Sequence, residues 1–249
     1  MFKPEMKTFY EREGYLAVED ALSETQLTEI RKRINALIAD PDNPPEGVGV
    51  GREGNTVADK NSAAAKNDDI RSASFLVRFI PFFQDIARSP NLLSLVRGLL
   101  GPSVKVFRDQ ALFKPPGGQA KPPHQDQSYF QVKPIDDLVT AWIALDDSTL
   151  ENGCMCYVPG SHTHGIFPVG QDPERPVHHI PLTGDLDFPA PVPVPVPAGS
   201  VVFHHGCTLH HSDDNTSDTW RKAIIFHYST SDAASDKPEL NAQVSLEIG

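Results

Sequence analysis

The chain has 249 residues, of which 39% are hydrophobic, and a formal net charge of −11. This length and apolar content suit a folded domain with a substantial core and argue against a disordered chain. The acidic balance disfavours nucleic acid or an anionic membrane as a partner, because both attract basic surfaces. No apolar run approaches the roughly 18–20 residues of a membrane-spanning helix.

The ends of the chain and its cysteines bear on the compartment. The N-terminal segment lacks the apolar core of a secretory signal peptide, and the C-terminal residues are not a peroxisomal address. Three cysteines, Cys154, Cys156 and Cys207, are an odd number and too few for a disulfide framework. We therefore expect free thiols and a cytoplasmic protein. The sequence does not indicate an oligomeric state.

The first hundred or so residues are predicted to be mainly helical after a short strand at residues 14–18. A capping box, Ser23-x-x-Gln26, precedes apolar residues at helical spacing from Leu27 to Ile38, and Pro41 ends that helix. Two more helices are predicted, at residues 79–88 and from the Ser89–Pro90 start onward. Residues 44–67 are polar and glycine-rich, which is typical of a functional lid or of a disordered loop.

From residue 104 the pattern changes to strands separated by turn residues. The predicted strands are 104–114, 138–145, 155–158, 177–180, 192–196, 200–205 and 222–229. This spacing is typical of a sandwich, barrel or jelly roll and not of βαβ units. Alternating prolines at 189–197 predict an edge strand or a polyproline segment. We predict a single domain, residues 1–249, with a helical part (1–103) and a β core (104–230).

Two separate clusters contain candidate metal ligands. His124 and Asp126 lie two residues apart, after a loop rich in Pro and Gly. In an extended strand both side chains would point to one face and bind the same ion. One imidazole and one carboxylate are two thirds of the 2-His-1-carboxylate triad that binds Fe(II). An H-x-D triplet alone is weak evidence, so the second cluster, residues 199–221, matters more.

The second cluster offers several histidines as the third ligand. It contains His204, His205, His210 and His211, and it ends at Arg221. In an extended segment His210 shares a face with Ser212, whereas His211 points away; His205 and His211 stay open as alternatives. Arg221 can bind a dicarboxylate through two parallel hydrogen bonds. The remaining histidines are expected to pack behind the ligands (His204, His227) or to be solvated or hydrogen-bonded (His162, His178, His179).

An ordered set of motifs extends over most of the chain. Its members are Gly14-Tyr15-Leu16, Lys114-Pro115-Pro116, Pro123-His124-Gln125-Asp126, Ala141-Trp142, Asn152-Gly153-Cys154, Pro159-Gly160-Ser161-His162, and Leu209-His210-His211-Ser212 followed by Asn215 and Arg221. In this set the chain resembles the phytanoyl-CoA dioxygenase-like family of Fe(II)/2-oxoglutarate oxygenases. The resemblance implies a mainly β fold with flanking helices: a double-stranded β-helix (a cupin-like jelly roll) buttressed by N-terminal helices.

The resemblance also implies site residues and an activity. His124, Asp126 and His210 would be the iron ligands. Arg221 and Ser212, with Lys114 and Trp142, would bind 2-oxoglutarate. The implied enzyme uses Fe(II), 2-oxoglutarate and O2, releases succinate and CO2, and hydroxylates an unactivated C–H bond. Related halogenases have Ala or Gly where this chain has Asp126, so the carboxylate favours hydroxylation or a related oxidation over halogenation.

The substrate is expected to be a small metabolite or a natural-product intermediate. A CoA thioester would require a basic patch, but the lysines near the site are scattered. Selectivity is predicted to come from Gln125, Gln127, Tyr129, Phe130 and residues 44–67. Two alternatives remain open from the sequence: a non-catalytic jelly-roll binding or sensor protein, and a Zn(II) hydrolase that uses the same triad.

Overall fold

The computed structural model describes residues 2–52, 70–171 and 179–249. Its helices are α1 (Pro4–Glu13), α2 (Glu24–Ala39), α3 (Leu76–Phe79), α4 (Pro81–Ala87), α5 (Pro90–Leu100), α6 (Asp126–Phe130) and α7 (Pro238–Asn241). A 3₁₀ helix spans Ser161–His164. None of the described helices is both long enough and apolar enough to cross a membrane.

The strands are short, apart from two long ones in the centre of the fold. They are β1 (Tyr15–Val18), β2 (Gly49–Arg52), β3 (Ile70–Ser74), β4 (Val104–Lys114), β5 (Lys121–His124), β6 (Val132–Lys133), β7 (Leu138–Ala144), β8 (Met155–Tyr157), β9 (Val169–Gln171), β10 (His179–Pro181), β11 (Val192–Val194), β12 (Val201–His205), β13 (His210–Ser212), β14 (Arg221–Thr230), β15 (Ala234–Ser235) and β16 (Leu246–Glu247).

Two antiparallel sheets form the core. The larger has the order β1-β12-β7-β14-β4-β3-β2, with β16 also paired to β4, and the smaller has the order β11-β8-β13-β5. Successive strands cross between the sheets, from β4 to β5, from β7 to β8, from β11 to β12 and from β13 to β14. This crossing pattern is a double-stranded β-helix, so the predicted jelly-roll fold is confirmed.

The larger sheet is covered on both faces, and strand β7 shows how. All seven of its residues are buried. Because successive side chains of a strand point to opposite faces, Ile143 packs into the cluster formed with the helices, and Trp142 packs into the cluster between the sheets. The inter-sheet cluster also contains Met155 and Tyr157 of β8.

The N-terminal helices cover the outer face of the larger sheet, as predicted. The capping box of α2 is present, with Ser23 and Gln26 exchanging hydrogen bonds. The apolar faces of α2 and α5 then meet the sheet in one continuous core, in which Ile30 and Leu92 pack with Phe226. The helices thus bury the face of the larger sheet that lies opposite the cluster between the sheets.

Several predicted elements differ in detail. The helix predicted at residues 79–88 is two helices, α3 and α4, because Pro81 lacks the N–H that a continuous helix would need. Helix α1 was not predicted, and strands β5 and β13 were expected only as extended segments around the candidate ligands, without bounds. The proline-rich stretch contains β11, which lies at the edge of the smaller sheet, so its edge-strand prediction is confirmed.

Two predictions fall partly outside the described residues. Of the predicted lid at 44–67, residues 53–67 lie outside the described part, and residues 49–52 form strand β2. Of the strand predicted at 177–180, residues 177 and 178 lie outside it, and β10 begins at His179.

Candidate metal centre and cosubstrate site

His124 and Asp126 are placed by the junction of β5 and α6. His124 is the last residue of β5, and Asp126 is the first residue of α6. The prediction that both lie in one strand is therefore wrong. Gln125 between them has extended backbone angles, φ −123° and ψ 136°, so the two side chains still project to the same side.

The third candidate ligand comes from the neighbouring strand of the smaller sheet. His210 of β13 is the cross-strand partner of His124, and their ring centroids are 4.1 Å apart. The Nε2 atoms of His124 and His210 lie 3.9 Å and 3.8 Å from Oδ1 of Asp126. Each of the three residues offers a ligand atom within 4.8 Å of the others. The structure thus brings together the three residues that the sequence singled out.

The tautomer of both imidazoles is fixed by the backbone. Nδ1 of His124 donates to the carbonyl of Pro122, and Nδ1 of His210 donates to the carbonyl of Thr208, each at 2.8 Å. Each Nε2 therefore carries a lone pair. Burial lowers the pKa of His124 to about 4 and that of His210 well below its usual value, so both rings are neutral near pH 7.

The carboxylate of Asp126 is oriented by a buried network. Its Oδ2 accepts hydrogen bonds from Nε2 of His204 at 3.0 Å and from Oγ1 of Thr140 at 2.6 Å. His227 Nδ1 lies 2.9 Å from the same Thr140 hydroxyl, and since that hydroxyl gives its proton to Asp126, His227 donates to it. Burial alone would raise the pKa of Asp126, but the hydrogen bond from His204 and the surrounding imidazoles hold it well below its usual value.

These bonds leave three acceptor atoms facing one another. Nε2 of His124, Nε2 of His210 and Oδ1 of Asp126 have no hydrogen-bond partner among the described residues. Converging lone pairs without a donor are unfavourable in a buried site unless a cation lies between them. Two neutral imidazoles and one carboxylate are the ligand types of a non-haem Fe(II) triad with open positions, so the residues fit such an ion.

Arg221, Trp142, Lys114 and Ser212 form a second group in the same cavity. Arg221 is buried and its Nη1 donates to the carbonyl of Gly153 at 3.1 Å, while its Nε has no partner. The indole Nε1 of Trp142 is also buried without a partner, and the guanidinium carbon lies 5.3 Å from the ring centroid. No carboxylate of the described residues forms an ion pair with Arg221. Buried donors of this kind fit an anionic ligand.

Lys114 adds a second cation beside Arg221. The two residues are cross-strand partners on β4 and β14. Nζ of Lys114 donates to Oγ of Ser212 at 2.8 Å and to the carbonyl of Asp213. Burial, reinforced by the charges of Arg221 and Arg71, lowers the pKa of Lys114 to about 7. Burial likewise lowers the pKa of Arg221 to about 10, so the guanidinium stays charged. Ser212 accepts from Lys114 and keeps its own hydroxyl proton for a ligand.

Both groups line one cavity of about 500 Å³. Tyr129 and Phe130 line it as predicted, but Gln125 and Gln127 do not. Their side chains are fully buried and bind backbone groups of neighbouring loops, so the prediction that they contact substrate is wrong. Thr140 was missed, although it is the only hydroxyl in the apolar run of β7 and could have been noticed for that reason.

The other histidines do not belong to the triad. His211 faces the opposite side of the smaller sheet, and His205 pairs with Asp136 at 3.3 Å. His204 and His227 lie behind Asp126, where support for the ligands was expected. His162 binds the carbonyl of Glu11. His178 and the side chain of His179 lie outside the described residues.

Comparison with known proteins gives a consistent result. The family model described as phytanoyl-CoA dioxygenase (PhyH) matches residues 10–223. Phytanoyl-CoA dioxygenase domain-containing protein 1 of Danio rerio is 27% identical, over 95% of this chain and 93% of that protein. The peroxisomal phytanoyl-CoA dioxygenase of Rattus norvegicus is 25% identical, over 92% of this chain and 68% of that protein.

Solved structures share the fold. The non-heme alpha ketoglutarate dependent carbocyclase SnoK from nogalamycin biosynthesis superposes with a TM-score of 0.71 at 26% identity, over 100% of this chain and 94% of that chain. EctD from S. alaskensis with 2-oxoglutarate and 5-hydroxyectoine has a TM-score of 0.71 at 20% identity, over 92% and 76% of the two chains, which supports the fold alone.

Proposed function

Because the chain belongs to the phytanoyl-CoA dioxygenase family, we propose that it acts as a non-haem Fe(II)- and 2-oxoglutarate-dependent dioxygenase whose iron ligands are His124, Asp126 and His210. One observation carries the assignment of ligands. Nε2 of each histidine and Oδ1 of Asp126 face one another, while every other polar atom of these side chains is bound by the protein. An arrangement of acceptors alone is suited to a cation and to little else.

The second group would bind the distal carboxylate of 2-oxoglutarate. Arg221 presents its unpartnered Nε, Trp142 its indole N–H, and Ser212 a hydroxyl proton. Lys114 stabilises the same negative charge from the neighbouring strand. Burial strengthens each of these interactions, because little water competes for the donors. The keto acid then extends from Arg221 toward the triad within one cavity.

The protein's part in the reaction is positioning and exclusion of water. Bound iron, 2-oxoglutarate and O2 supply the oxidising chemistry, with succinate and CO2 as coproducts. The network behind Asp126 fixes the carboxylate, and the backbone carbonyls of Pro122 and Thr208 fix the two imidazoles. Met155 and Ile225 add apolar walls to the cavity. The carboxylate at 126 occupies one more ligand position than a halogenase would, so we propose hydroxylation of a C–H bond.

We further propose a small metabolite or natural-product intermediate as the substrate. A cavity of about 500 Å³ lies within the usual range of roughly 300–1,000 Å³ for small-molecule sites. Tyr129 and Phe130 line it beside the triad and offer aromatic surface to a substrate. The free cysteines agree with the proposed reducing cytoplasm, and the chain 1–249 is proposed to act as one catalytic domain.

The test is anaerobic addition of Fe(II) and 2-oxoglutarate to the apoprotein. The wild type is expected to develop the visible charge-transfer absorption of an iron–keto acid chelate. Arg221→Ala is expected to weaken 2-oxoglutarate binding about 10-fold or more, because it removes hydrogen bonds to a charged group. His210→Ala is expected to abolish the absorption.

His211→Ala is the control, because His211 is adjacent to His210 and lies on the other face of the same strand. Absorption in His210→Ala equal to that of the wild type would refute the ligand assignment. Turnover of a substrate in the strict absence of O2 would instead indicate a hydrolase.

A further inference from the structure

The outer face of the smaller sheet carries a second set of metal-binding side chains. Strand β13 directs His210 and Ser212 into the cavity, so His211 points outward, and Asp213 follows two residues later. Strand β8 directs Met155 and Tyr157 inward, so Cys156 points outward. Strand alternation therefore places a thiol, an imidazole and a carboxylate on one surface.

The pairing of the two strands brings these groups together. His211 and Cys156 are direct cross-strand partners. Each of Cys156, His211 and Asp213 offers a ligand atom within 4.8 Å of the other two. Nε2 of His211 lies 3.8 Å from Oδ1 of Asp213, which equals the separation between His210 and Asp126 in the candidate iron triad. Small side-chain shifts would bring all three atoms to metal-bonding distance.

The second thiol, Cys154, lies next to this group. Sγ of Cys156 lies 4.0 Å from the carbonyl oxygen of Cys154, so the two cysteines are in contact. The thiolate is the form that binds metals, so a bound cation would displace the thiol proton of Cys156. Cys156 is buried, whereas the side chains of His211 and Asp213 are 21% and 73% exposed, so an ion can enter from solvent.

Among the described residues, these ligand atoms make only one hydrogen bond, a long one of 4.0 Å from Sγ of Cys156 to the carbonyl of Cys154. Neither ring nitrogen of His211 has a hydrogen-bond partner among the described residues, and its contact with Asp213 is too long to be one. All three cysteines are free. The group is also separate from the cavity, which it does not line.

We propose that Cys156, His211 and Asp213, with Cys154 beside them, form a second metal site that binds Zn²⁺ or a similar thiophilic divalent cation. The ligand chemistry separates it from the iron triad: sulfur and imidazole favour Zn²⁺, whereas magnesium and calcium require oxygen ligands. The proposal does not depend on the enzymatic assignment, because none of its ligands belongs to the iron triad or to the cosubstrate group.

The site adjoins the residues that bind the cosubstrate. The carbonyl of Asp213 accepts a hydrogen bond from Lys114, and the carbonyl of Gly153, next to Cys154, accepts one from Arg221. A metal ion on the outer face would therefore hold in place the two backbone segments whose carbonyls bind the side chains of Lys114 and Arg221. The outer site stabilises the cosubstrate end of the cavity without touching the ligand.

The test is titration of the reduced, anaerobic protein with Co²⁺. A sulfur ligand gives intense near-ultraviolet charge-transfer absorption, and the iron triad contains no sulfur, so only the outer site produces this signal. The wild type is expected to reach a signal that corresponds to one thiolate-bound Co²⁺ per chain, in addition to any Co²⁺ bound at the iron triad, and Zn²⁺ is expected to displace it. Cys156→Ser is expected to abolish the signal, and His211→Ala or Asp213→Asn to weaken Co²⁺ binding at this site by roughly 10-fold or more.

Two controls make the result decisive. Cys207→Ser removes the third buried cysteine, which is outside the group, and must leave the signal intact. His124→Ala removes an iron ligand and must also leave it intact. No thiolate signal in the wild type, or a signal that survives both Cys156→Ser and His211→Ala, would overturn the proposal. If the thiolate signal is absent while the iron–keto acid absorption is retained, in the wild type and in His211→Ala, the outer site is refuted and the proposed oxygenase function is not.

Discussion

Replacing Thr140 with valine tests how the fold orients the carboxylate of the triad. Oγ1 of Thr140 donates to Oδ2 of Asp126 at 2.6 Å, and His204 donates to the same oxygen. Valine has nearly the same shape but no donor. Oδ2 would then keep the His204 bond alone, and the carboxylate could rotate Oδ1 away from the two imidazoles.

The expected effect has two parts. A hydrogen bond to a charged group contributes about 1.5–3 kcal/mol, so the free energy of unfolding of the apoprotein should fall by about that amount. Loss of a group that orients a metal ligand should weaken metal binding by about 10–100-fold. The loss of metal affinity is expected only if the Asp126 carboxylate is a ligand, whereas the loss of stability is expected in either case.

Affinity for Fe(II) or Co²⁺ is measured by competition with a chelator, and stability by urea unfolding. Thr230→Val is the matched control, because Oγ1 of Thr230 also donates to a carboxylate oxygen at 2.6 Å, that of Asp137. It lies at the end of β14 and does not line the cavity. The control should lose stability and keep its metal affinity. A folded Thr140→Val protein with wild-type metal affinity would refute the proposed role of Asp126.

Three further predictions concern the cosubstrate end and the loop behind the triad. The pKa of Lys114 is lowered to about 7, so its positive charge is lost as pH rises through 7. The wild type should therefore bind 2-oxoglutarate more weakly above pH 7 than below it, and Lys114→Met should bind it weakly at both. Equal wild-type affinities on the two sides of pH 7 would contradict this. Trp142→Phe removes the unpartnered indole N–H and should weaken 2-oxoglutarate binding by about 5–10-fold, with Fe(II) affinity unchanged. Gln125→Leu leaves three backbone groups without partners, at Gly165, Cys207 and Phe167, and should lower the free energy of unfolding by roughly 3 kcal/mol in urea denaturation; wild-type stability would contradict this.

The long strands could be predicted from sequence because their burial is continuous. Strand β4 was predicted with its observed bounds, and β14 to within a residue at each end. The bounds of strand β5 could not be predicted, because two of its four residues are prolines, which cannot donate to a ladder. It forms at the edge of the smaller sheet, where β13 is its one partner among the described strands. Such a strand depends on its neighbour and leaves no local signal.

The candidate site was predictable in its residue types more than in its geometry. An imidazole, a carboxylate and a later arginine were visible in order, yet the third ligand stayed open among several histidines. Cross-strand register decides that question, since His210 lies opposite His124, and register between distant segments is not a property of local sequence. Gln125 and Gln127 were misassigned because polar side chains near a site can serve buried backbone groups instead of substrate.

The adjacent histidines of β13 should therefore not substitute for each other. His210 belongs to the proposed iron triad, and His211 lies beside Cys156 on the opposite face of the sheet, although the two are neighbours in sequence. His210→Ala should lose the iron–keto acid absorption and keep the thiolate–Co²⁺ signal, and His211→Ala should keep the absorption and bind Co²⁺ more weakly at the outer site. Only a one-residue shift in register could exchange their roles, and it would also move Ser212 out of the cavity. If either single variant lost both signals while remaining folded, the two faces of this strand could not be independent sites.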